Sequence, residues 1–211
     1  MHIRKKLLIF PFNGNGREAL DCIDLDLFEF IGFIDDTPEK LNSLEQYPIY
    51  NRSILQRESD ALVLAVPGSP LSFRHRQKII NSLQLEINRY ATVIHPSAKI
   101  GKNVKVGHNS LIMAGVVLTS NAIIGNSVCI LPNSVVHHDS EVGDYTLIGS
   151  NVVIAGSTRI EQNCYIGSGS NIINGILVGE FSLIGMGTNV IKSVNKNSTL
   201  VGNPARNLIC N

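Results

Sequence analysis

Two histidines and an aspartate stand together in the second half of the sequence, as His137, His138 and Asp139. An imidazole titrates near neutral pH, so it can take a proton from an attacking nucleophile such as an amine. A neighbouring carboxylate can fix the tautomer of the ring and raise its basicity. The triplet therefore predicts a general base at His138 with Asp139 as its support. The alternative is a surface histidine with no role in chemistry.

A second group of polar residues lies near the start of the chain, where Asn13-Gly14-Asn15-Gly16 and Asp35-Asp36 follow apolar segments. At the carboxyl ends of parallel strands, free backbone N–H groups can bind phosphate and an acid can bind a ribose hydroxyl. The first segment lacks a complete G-x-G-x-x-G, which argues against hydride transfer with NAD. A nucleotide-bearing ligand is one interpretation, and a helix-starting turn with an exposed strand end is the other.

A six-residue repeat must position His138. Seventeen times in succession, from Ile94 to Val190, every sixth residue is aliphatic, and the residue four places later is small or β-branched. This period fits neither a helix nor simple alternation along a strand. It fits short strands joined by tight corners, where glycine is expected to supply the unusual φ. Three such strands make one coil of 18 residues, so the repeat supplies roughly five coils.

The repeat also predicts which way side chains point. Val136 and Ser140 take inward positions, so His138 should project outward near a corner. One coil later the equivalent residue is Gly156, whose N–H could face a ligand beside the imidazole. Such an N–H can stabilise the oxyanion that forms during acyl transfer.

Residues 1–92 show a different pattern, in which apolar strands at residues 7–10, 28–34 and 61–66 alternate with helical stretches. This alternation predicts a small parallel α/β sheet of the Rossmann-like kind. We therefore expect two domains, at residues 1–92 and 93–211. No flexible linker separates them, so they should be rigidly coupled.

The composition limits the kinds of partner. With 18 basic and 17 acidic residues the formal net charge is +1, so no strong field attracts nucleic acid or an anionic membrane. The apolar run before Pro11 has no cleavage site and no segment is long enough to span a membrane, so we expect a cytoplasmic protein. The four cysteines and the histidines of the repeat lack the spacing of a zinc site, so no metal is expected.

Together these features resemble the left-handed β-helix acyltransferases with hexapeptide repeats. The resemblance is stronger to the bacterial branch that N-acetylates nucleotide-linked amino sugars, with sialic acid O-acetyltransferases as relatives. It covers nearly the whole chain. It implies a Rossmann-like domain that binds a sugar nucleotide, followed by an all-β left-handed parallel β-helix. It also implies a homotrimer with acetyl-CoA, the acyl donor, in a groove between neighbouring subunits.

The resemblance assigns roles to individual positions. His138 matches the general base, Asp139 the acid that supports it, and Gly156 the backbone donor to the thioester oxygen. Substrate-binding positions fall on Asn13, Gly14, Asn15, Asp35, Asp36, Pro67 and Gly68. Positions that contact acetyl-CoA fall on Leu147, Ser168, Met186 and Arg206. The chain departs from the family at Pro11-Phe12, where small glycine-rich residues are usual, and at Asn15, where many members carry histidine.

We therefore expect an acetyl-CoA-dependent N-acetyltransferase. Its expected acceptor is the amino group of a UDP- or dTDP-linked 4-amino-4,6-dideoxy sugar used for bacterial surface glycans. The first alternative is O-acetylation of sialic acid or another hydroxyl acceptor. The second is a non-catalytic β-helical scaffold that senses a nucleotide.

Overall fold

The N-terminal part of the molecule is a parallel four-stranded sheet. The computed structural model describes residues 3–43 and 45–208. The strands are β1 (Lys5–Phe10), β2 (Phe28–Ile34), β3 (Ile49–Tyr50) and β4 (Leu62–Ala65). They lie in the order β3-β2-β1-β4, with every pair parallel. This confirms the predicted α/β sheet, to which the sequence did not assign the short β3.

Short helices connect these strands. They are α1 (Gly14–Glu18), α2 (Pro38–Leu41), α3 (Ile54–Arg57) and α4 (Arg76–Asn81), with 3-10 turns at Ala19–Cys22, Phe73–His75 and Ile87–Arg89. The sequence predicts a turn at residues 13–16 before a helix from Arg17, but α1 already begins at Gly14. The reason is that Asn13 is its N-cap, whose side chain accepts a hydrogen bond from the Gly16 N–H at 2.8 Å. Within the described ranges, none of the helices has the length and apolar character needed to cross a membrane.

From Val93 the chain winds into coils, each built from three short strands. Strands one coil apart pair in parallel, which gives three sheets along the sides of the coil. Sheet 1 contains Val93–Ile94, Leu111–Ile112, Cys129–Ile130, Leu147–Ile148, Tyr165–Ile166, Leu183–Ile184, Thr199–Val201 and the antiparallel Arg206–Asn207. Sheet 2 contains Lys99–Ile100, Val117–Leu118, Val135–Val136, Val153–Ile154, Asn171–Ile172 and Asn189–Val190. Sheet 3 contains Lys105–Val106, Ile123–Ile124, Glu141–Val142, Arg159–Ile160 and Leu177–Val178.

The aliphatic residues of the repeat form the core of these coils. From Ile112 to Val190, each sixth residue is buried, as the register predicts. The inward polar residues bond to backbone; the hydroxyl of buried Ser134, for example, donates to the Gly149 carbonyl at 2.7 Å. The first coil differs, since Ile100 is 42% exposed. No preceding coil covers it.

The corners correct one expectation. The sequence predicts that glycines such as Gly107 and Gly149 supply the unusual φ. The positive φ instead falls two residues later, at Asn109 (55°) and Asn151 (55°) in these two cases. Asparagine adopts this left-handed conformation more readily than most residues. The glycines instead allow successive coils to stack closely, because a Cβ on Gly107 would lie 2.5 Å from the Gly125 carbonyl oxygen in the next coil.

An apolar interface joins the N-terminal sheet to the outer face of sheet 1. One continuous buried cluster includes Leu7 and Phe73 from the N-terminal part and Leu111, Cys129 and Leu147 from the coils. Burial of this cluster away from water stabilises the contact. The cluster supports the expectation that the two parts are firmly coupled.

Two buried polar side chains add specific bonds to this interface. The Asn109 amide accepts from the Ala65 N–H at 2.7 Å and donates to the Ala65 carbonyl at 3.1 Å. The fully buried Arg76 donates to the carbonyls of Pro67, Ser127 (2.6 Å) and Tyr145 (2.9 Å). Burial lowers the pKa of Arg76 to about 10, which still leaves it charged at neutral pH. Arg76 thus ties the end of β4 to two successive coils.

Candidate functional site

His138 and Asp139 lie at the corner between sheet 2 and sheet 3. Val136 and Ser140 on either side are buried, and the imidazole points outward with 61% of its side chain exposed. The orientation agrees with the register of the repeat. The ring is not held by surrounding apolar residues, so its contacts with polar neighbours decide its position.

The charge of Asp139 sets the tautomer of His138. His138 Nδ1 lies 2.7 Å from Asp139 Oδ2. Hydrogen bonds from His138 and from Asn121 hold the pKa of Asp139 below its ordinary value. An ionised carboxylate can only accept hydrogen bonds, so Nδ1 carries the ring proton. Nε2 is then the basic nitrogen, as a general base requires.

Gly156 lies directly beside this basic nitrogen, one coil further on. A Cβ added to Gly156 would stand 2.6 Å from His138 Nε2 and 2.7 Å from Cε1. The imidazole therefore occupies the space that any larger residue at this position would need. The basic edge of His138 lies against the Gly156 backbone.

The N–H groups at the corner positions equivalent to Gly156 are of two kinds. Three are capped by a side chain of the next coil: His108 N–H donates to Asn126 Oδ1 at 3.2 Å, Asn126 N–H to Asp144 Oδ1 at 2.7 Å and Ser150 N–H to Ser168 Oγ at 3.1 Å. Others, such as those of Ser120 and His138, have no acceptor among the described residues. The Gly156 N–H has no acceptor in the described part of the chain. A donor that is free beside a basic nitrogen can bind a developing oxyanion.

A cleft of about 450 Å³ lies at the carboxyl ends of β1, β2 and β4. Its lining includes five of the residues assigned to the substrate: Asn13, Asp35, Asp36, Pro67 and Gly68. This edge of a parallel sheet is where ligands of such folds bind. Sequence-predicted residues that lie up to 55 positions apart are therefore brought together in one place.

The two aspartates of the cleft are both paired within the chain. Burial opposes ionisation of Asp35, but hydrogen bonds from Lys40 (2.7 Å) and Thr37 outweigh it and hold its pKa below the ordinary value. Asp36 accepts from the Arg52 side chain at 2.5 Å. Lys40 and Arg52, which the sequence reasoning missed, thus place two cations in the cleft. Lys40 is close to the acidic pair in the sequence, whereas Arg52, 16 residues after Asp36, gives no such signal.

Gly14 and Asn15 lie apart from the main cleft. Gly14 is exposed and lines a neighbouring depression with Arg17 and Lys40. The Asn15 amide reaches the Gly68 carbonyl at 3.4 Å and lines a smaller cavity of about 190 Å³. That cavity lies between the N-terminal part and the coils, and it shares Gly68 with the main cleft. Asn15 is therefore positioned between the two.

The four residues assigned to acetyl-CoA do not meet His138 within one chain. Leu147 is 5% exposed, between sheet 1 and the N-terminal part. Ser168 and Met186 follow strands of sheet 1 at a different corner, and Met186 is 75% exposed. Arg206 lies in the last strand and, with Lys192, lines a cavity of about 280 Å³. One chain leaves these residues distributed around the coil.

Cysteines contribute no site in the described residues. Burial raises the pKa of Cys22 to about 11 and of Cys129 and Cys164 to about 12, so these thiols are protonated and unreactive at neutral pH. Cys210 lies outside the described residues. Among residues 3–43 and 45–208, no group of three or more His, Cys, Asp and Glu side chains could hold a metal ion.

Comparison with known proteins relates this geometry to solved structures. A mutant of perosamine N-acetyltransferase from Caulobacter crescentus, solved with CoA and GDP-perosamine, is similar over 99% of this chain and 98% of its own (20% identity, TM-score 0.86). The acetyltransferase domain of PglB from Neisseria gonorrhoeae, solved with acetyl coenzyme A, matches over 98% and 100% (22% identity, TM-score 0.84). WeeI from Acinetobacter baumannii matches over 98% and 100% (26% identity, TM-score 0.80).

These likenesses confirm the predicted fold class, a parallel α/β sheet followed by a left-handed β-helix. No curated protein matches the chain. The family model described as GMPPB C-terminal domain matches residues 88–199, which is more than half of the sequence. The chain therefore belongs to the GMPPB C-terminal domain family.

Proposed function

We propose that this protein is an acetyl-CoA-dependent N-acetyltransferase that acts on the amino group of a nucleotide-linked sugar. One observation carries the proposal: the basic Nε2 of His138 faces Gly156, whose N–H has no acceptor in the described chain. Acyl transfer needs a base and an oxyanion donor, and the two groups lie side by side at this corner. The similar proteins from C. crescentus and N. gonorrhoeae, solved with CoA or acetyl coenzyme A, support the choice of acyl donor.

The residues of the corner act in sequence. Acetyl-CoA would supply the acetyl thioester. His138 Nε2 takes the proton of the acceptor amine as the nitrogen attacks the thioester carbonyl. Asp139 holds the Nδ1 proton and stabilises the positive ring. The Gly156 N–H donates to the carbonyl oxygen as negative charge develops there. His138 then returns its proton to the departing thiolate.

The acceptor would enter through the N-terminal cleft. Lys40 and Arg52, each paired with an aspartate, would offer N–H donors to a diphosphate, and Asn13 and the end of β4 at Pro67-Gly68 border the same space. Within this class we propose a 4-amino-4,6-dideoxy sugar for bacterial surface glycans, carried by UDP or dTDP. The perosamine enzyme bound to GDP-perosamine makes GDP the third nucleotide to test.

We further propose a homotrimer in which acetyl-CoA lies between neighbouring coils. The outward valines of sheet 2, Val117, Val135 and Val153, are half-buried, and Ile173 (44%) and Ile191 (51%) beside them are exposed. Such a face favours contact with another copy. A neighbour could bring Ser168, Met186 and Arg206 towards His138, from which they are separated within one chain. Sedimentation equilibrium tests this, and a monomer at working concentration would contradict it.

A binding screen followed by a transfer assay tests the proposed reaction. Thermal shift is measured with UDP-, dTDP-, GDP- and CMP-linked sugars, free serine and sialic acid, because a ligand that binds only the native state raises Tm. Thiol release from acetyl-CoA is then measured with the amino and hydroxyl forms of each hit. Acetylation of the amino form supports the proposal. A shift and turnover only with serine or sialic acid would indicate O-acetylation, and binding without turnover would indicate a nucleotide-sensing scaffold.

A further inference from the structure

A column of three polar residues runs along the corner that carries His138. Asn103, Asn121 and Asp139 are spaced 18 residues apart, and all three have positive φ (58°, 63° and 58°). Because they share this left-handed corner conformation, their side chains stack from coil to coil. Asn103 Nδ2 lies 3.2 Å from Asn121 Oδ1, and Asn121 Nδ2 lies 2.8 Å from Asp139 Oδ1.

The hydrogen bonds of this column run in one direction. The ionised Asp139 can only accept, so Asn121 must present its Nδ2 to the carboxylate. Asn121 Oδ1 then faces Asn103, whose Nδ2 donates to it. Asp139 Oδ2, the other carboxylate oxygen, remains for His138 Nδ1 at 2.7 Å. The column ends on the proposed base.

Packing does not hold the two terminal residues in place. The side chains of His138 and Asp139 are 61% and 51% exposed. An exposed pair of this kind loses little by rotating apart, because solvent replaces its bonds. Among the ionisable side chains near the imidazole, Asp139 contacts the ring. Glu141 and Arg159 on sheet 3 pair with each other at 3.7 Å, and His137 is the residue before His138 in the chain. Asn121 is therefore the neighbour that limits rotation of Asp139.

We propose that Asn121 is a positioning residue for the base, with Asn103 aligning Asn121 in turn; this inference rests on the proposed function. Asn121 fixes the plane of the Asp139 carboxylate, so that Oδ2 stays on His138 Nδ1 and Nε2 stays directed at the space beside Gly156. Its side-chain amide bonds to Asn103 and Asp139, so we assign it no contact with substrate. Removal of the Asn121 side chain should therefore lower the rate of the chemical step and leave the binding of both substrates unchanged.

Asn121→Gly tests the inference without straining the corner, because glycine adopts positive φ freely. Asn151→Gly is the matched control: Asn151 is exposed, has a φ of 55° and lies at another corner. We expect Asn121→Gly to lower kcat about tenfold with KM unchanged for both substrates, since small misplacement of a catalytic group is costly. Both variants should have the same Tm. Equal kcat values in the two variants would overturn the inference.

Asn121→Asp supplies a second readout. A further negative charge on the order of 7 Å from the imidazole favours its protonated form, which should move the acidic limb of kcat/KM up by about 0.4 pH units in dilute buffer. The shift depends on the side chain of residue 121 lying beside the Asp139–His138 pair, as the column places it. An unchanged limb would therefore count against the column.

A third measurement needs no substrate and separates this inference from the proposed function. In the ¹⁵N NMR spectrum of the histidine rings, the His138 signal, assigned by its loss in His138→Ala, should report the Nδ1–H tautomer. Asn121→Gly should shift it towards a mixture of tautomers, whereas Asn151→Gly should not. An unchanged tautomer would refute the role of Asn121 even if acetyl transfer is confirmed. A shifted tautomer would support that role even if transfer by this protein is disproved.

Discussion

Gly156→Ala separates the chemistry of the corner from its stability. The added methyl group would stand 2.6 Å from His138 Nε2, whereas ordinary contacts begin near 3.4 Å. One of the two groups must therefore move by about 0.8 Å. The imidazole is exposed and sits at the end of a rotatable side chain, so it moves and the backbone stays. The variant thus displaces the proposed base without removing it.

The size of the effect on each property follows from this geometry. A displacement near 1 Å of a catalytic group costs about 10²-fold in rate, so kcat/KM should fall by about two orders of magnitude. Stability should change by less than about 1 kcal/mol, because an exposed ring accommodates the methyl group and alanine restricts the unfolded chain more than glycine does. Activity and stability therefore respond very differently.

Thiol release from acetyl-CoA and a thermal melt measure the two properties on the same sample. The contrasting variant is Gly107→Ala, whose methyl group would meet the Gly125 carbonyl oxygen at 2.5 Å, where rigid backbone cannot yield. We expect Gly107→Ala to lower Tm by several degrees and to keep its turnover per folded molecule. Normal turnover of Gly156→Ala would refute the placement of the base. A large fall in the Tm of Gly156→Ala would refute the claim that the His138 side chain moves to accommodate the methyl group.

Three further predictions concern the rest of the molecule. Arg76→Met leaves three carbonyls without their donor, so urea unfolding should show a loss of about 3 kcal/mol, and a loss under 1 kcal/mol would contradict the role given to Arg76. Asp35 has a lowered pKa, so its contribution to stability is present above the ordinary carboxyl pKa and is lost as the pH falls through the lowered one; the stability difference from Asp35→Asn should shrink as the solution is acidified through this range, and a constant difference would oppose it. In a Cys210→Ser background, a thiol reagent should label only unfolded protein, and labelling of the native state would contradict the burial of Cys22, Cys129 and Cys164.

Much of the fold could be predicted from the six-residue period, because this period can be read from the sequence alone. It predicts which positions point inward, and hence that His138 points outward while Val136 does not. The period treats all coils alike and does not show that the first coil has no coil before it to cover its end. Ile100, in that first coil, is therefore more exposed than the pattern predicts. The period also assigns the left-handed corners to glycine, although asparagine occupies many of them.

The candidate site was harder to predict from the sequence, because its contacts depend on how separate elements pack against one another. Asp35 and Asp36 could be placed at a strand end, but their pairing with Lys40 and Arg52 depends on how α2 and α3 fold back over the sheet. The contact between Asn121 and Asp139 becomes visible only once the 18-residue coil is built.

The most direct measurement of the central claim is the rate of acetyl transfer by His138→Ala, with the nucleotide sugar selected by the binding screen. His137→Ala is the matched control, since it removes the adjacent imidazole. A general base contributes about 10²-fold or more, so His138→Ala should lose at least that factor in turnover while its Tm stays that of the unmodified protein. His137→Ala should retain turnover within a few-fold. Near-normal turnover of His138→Ala would contradict the account.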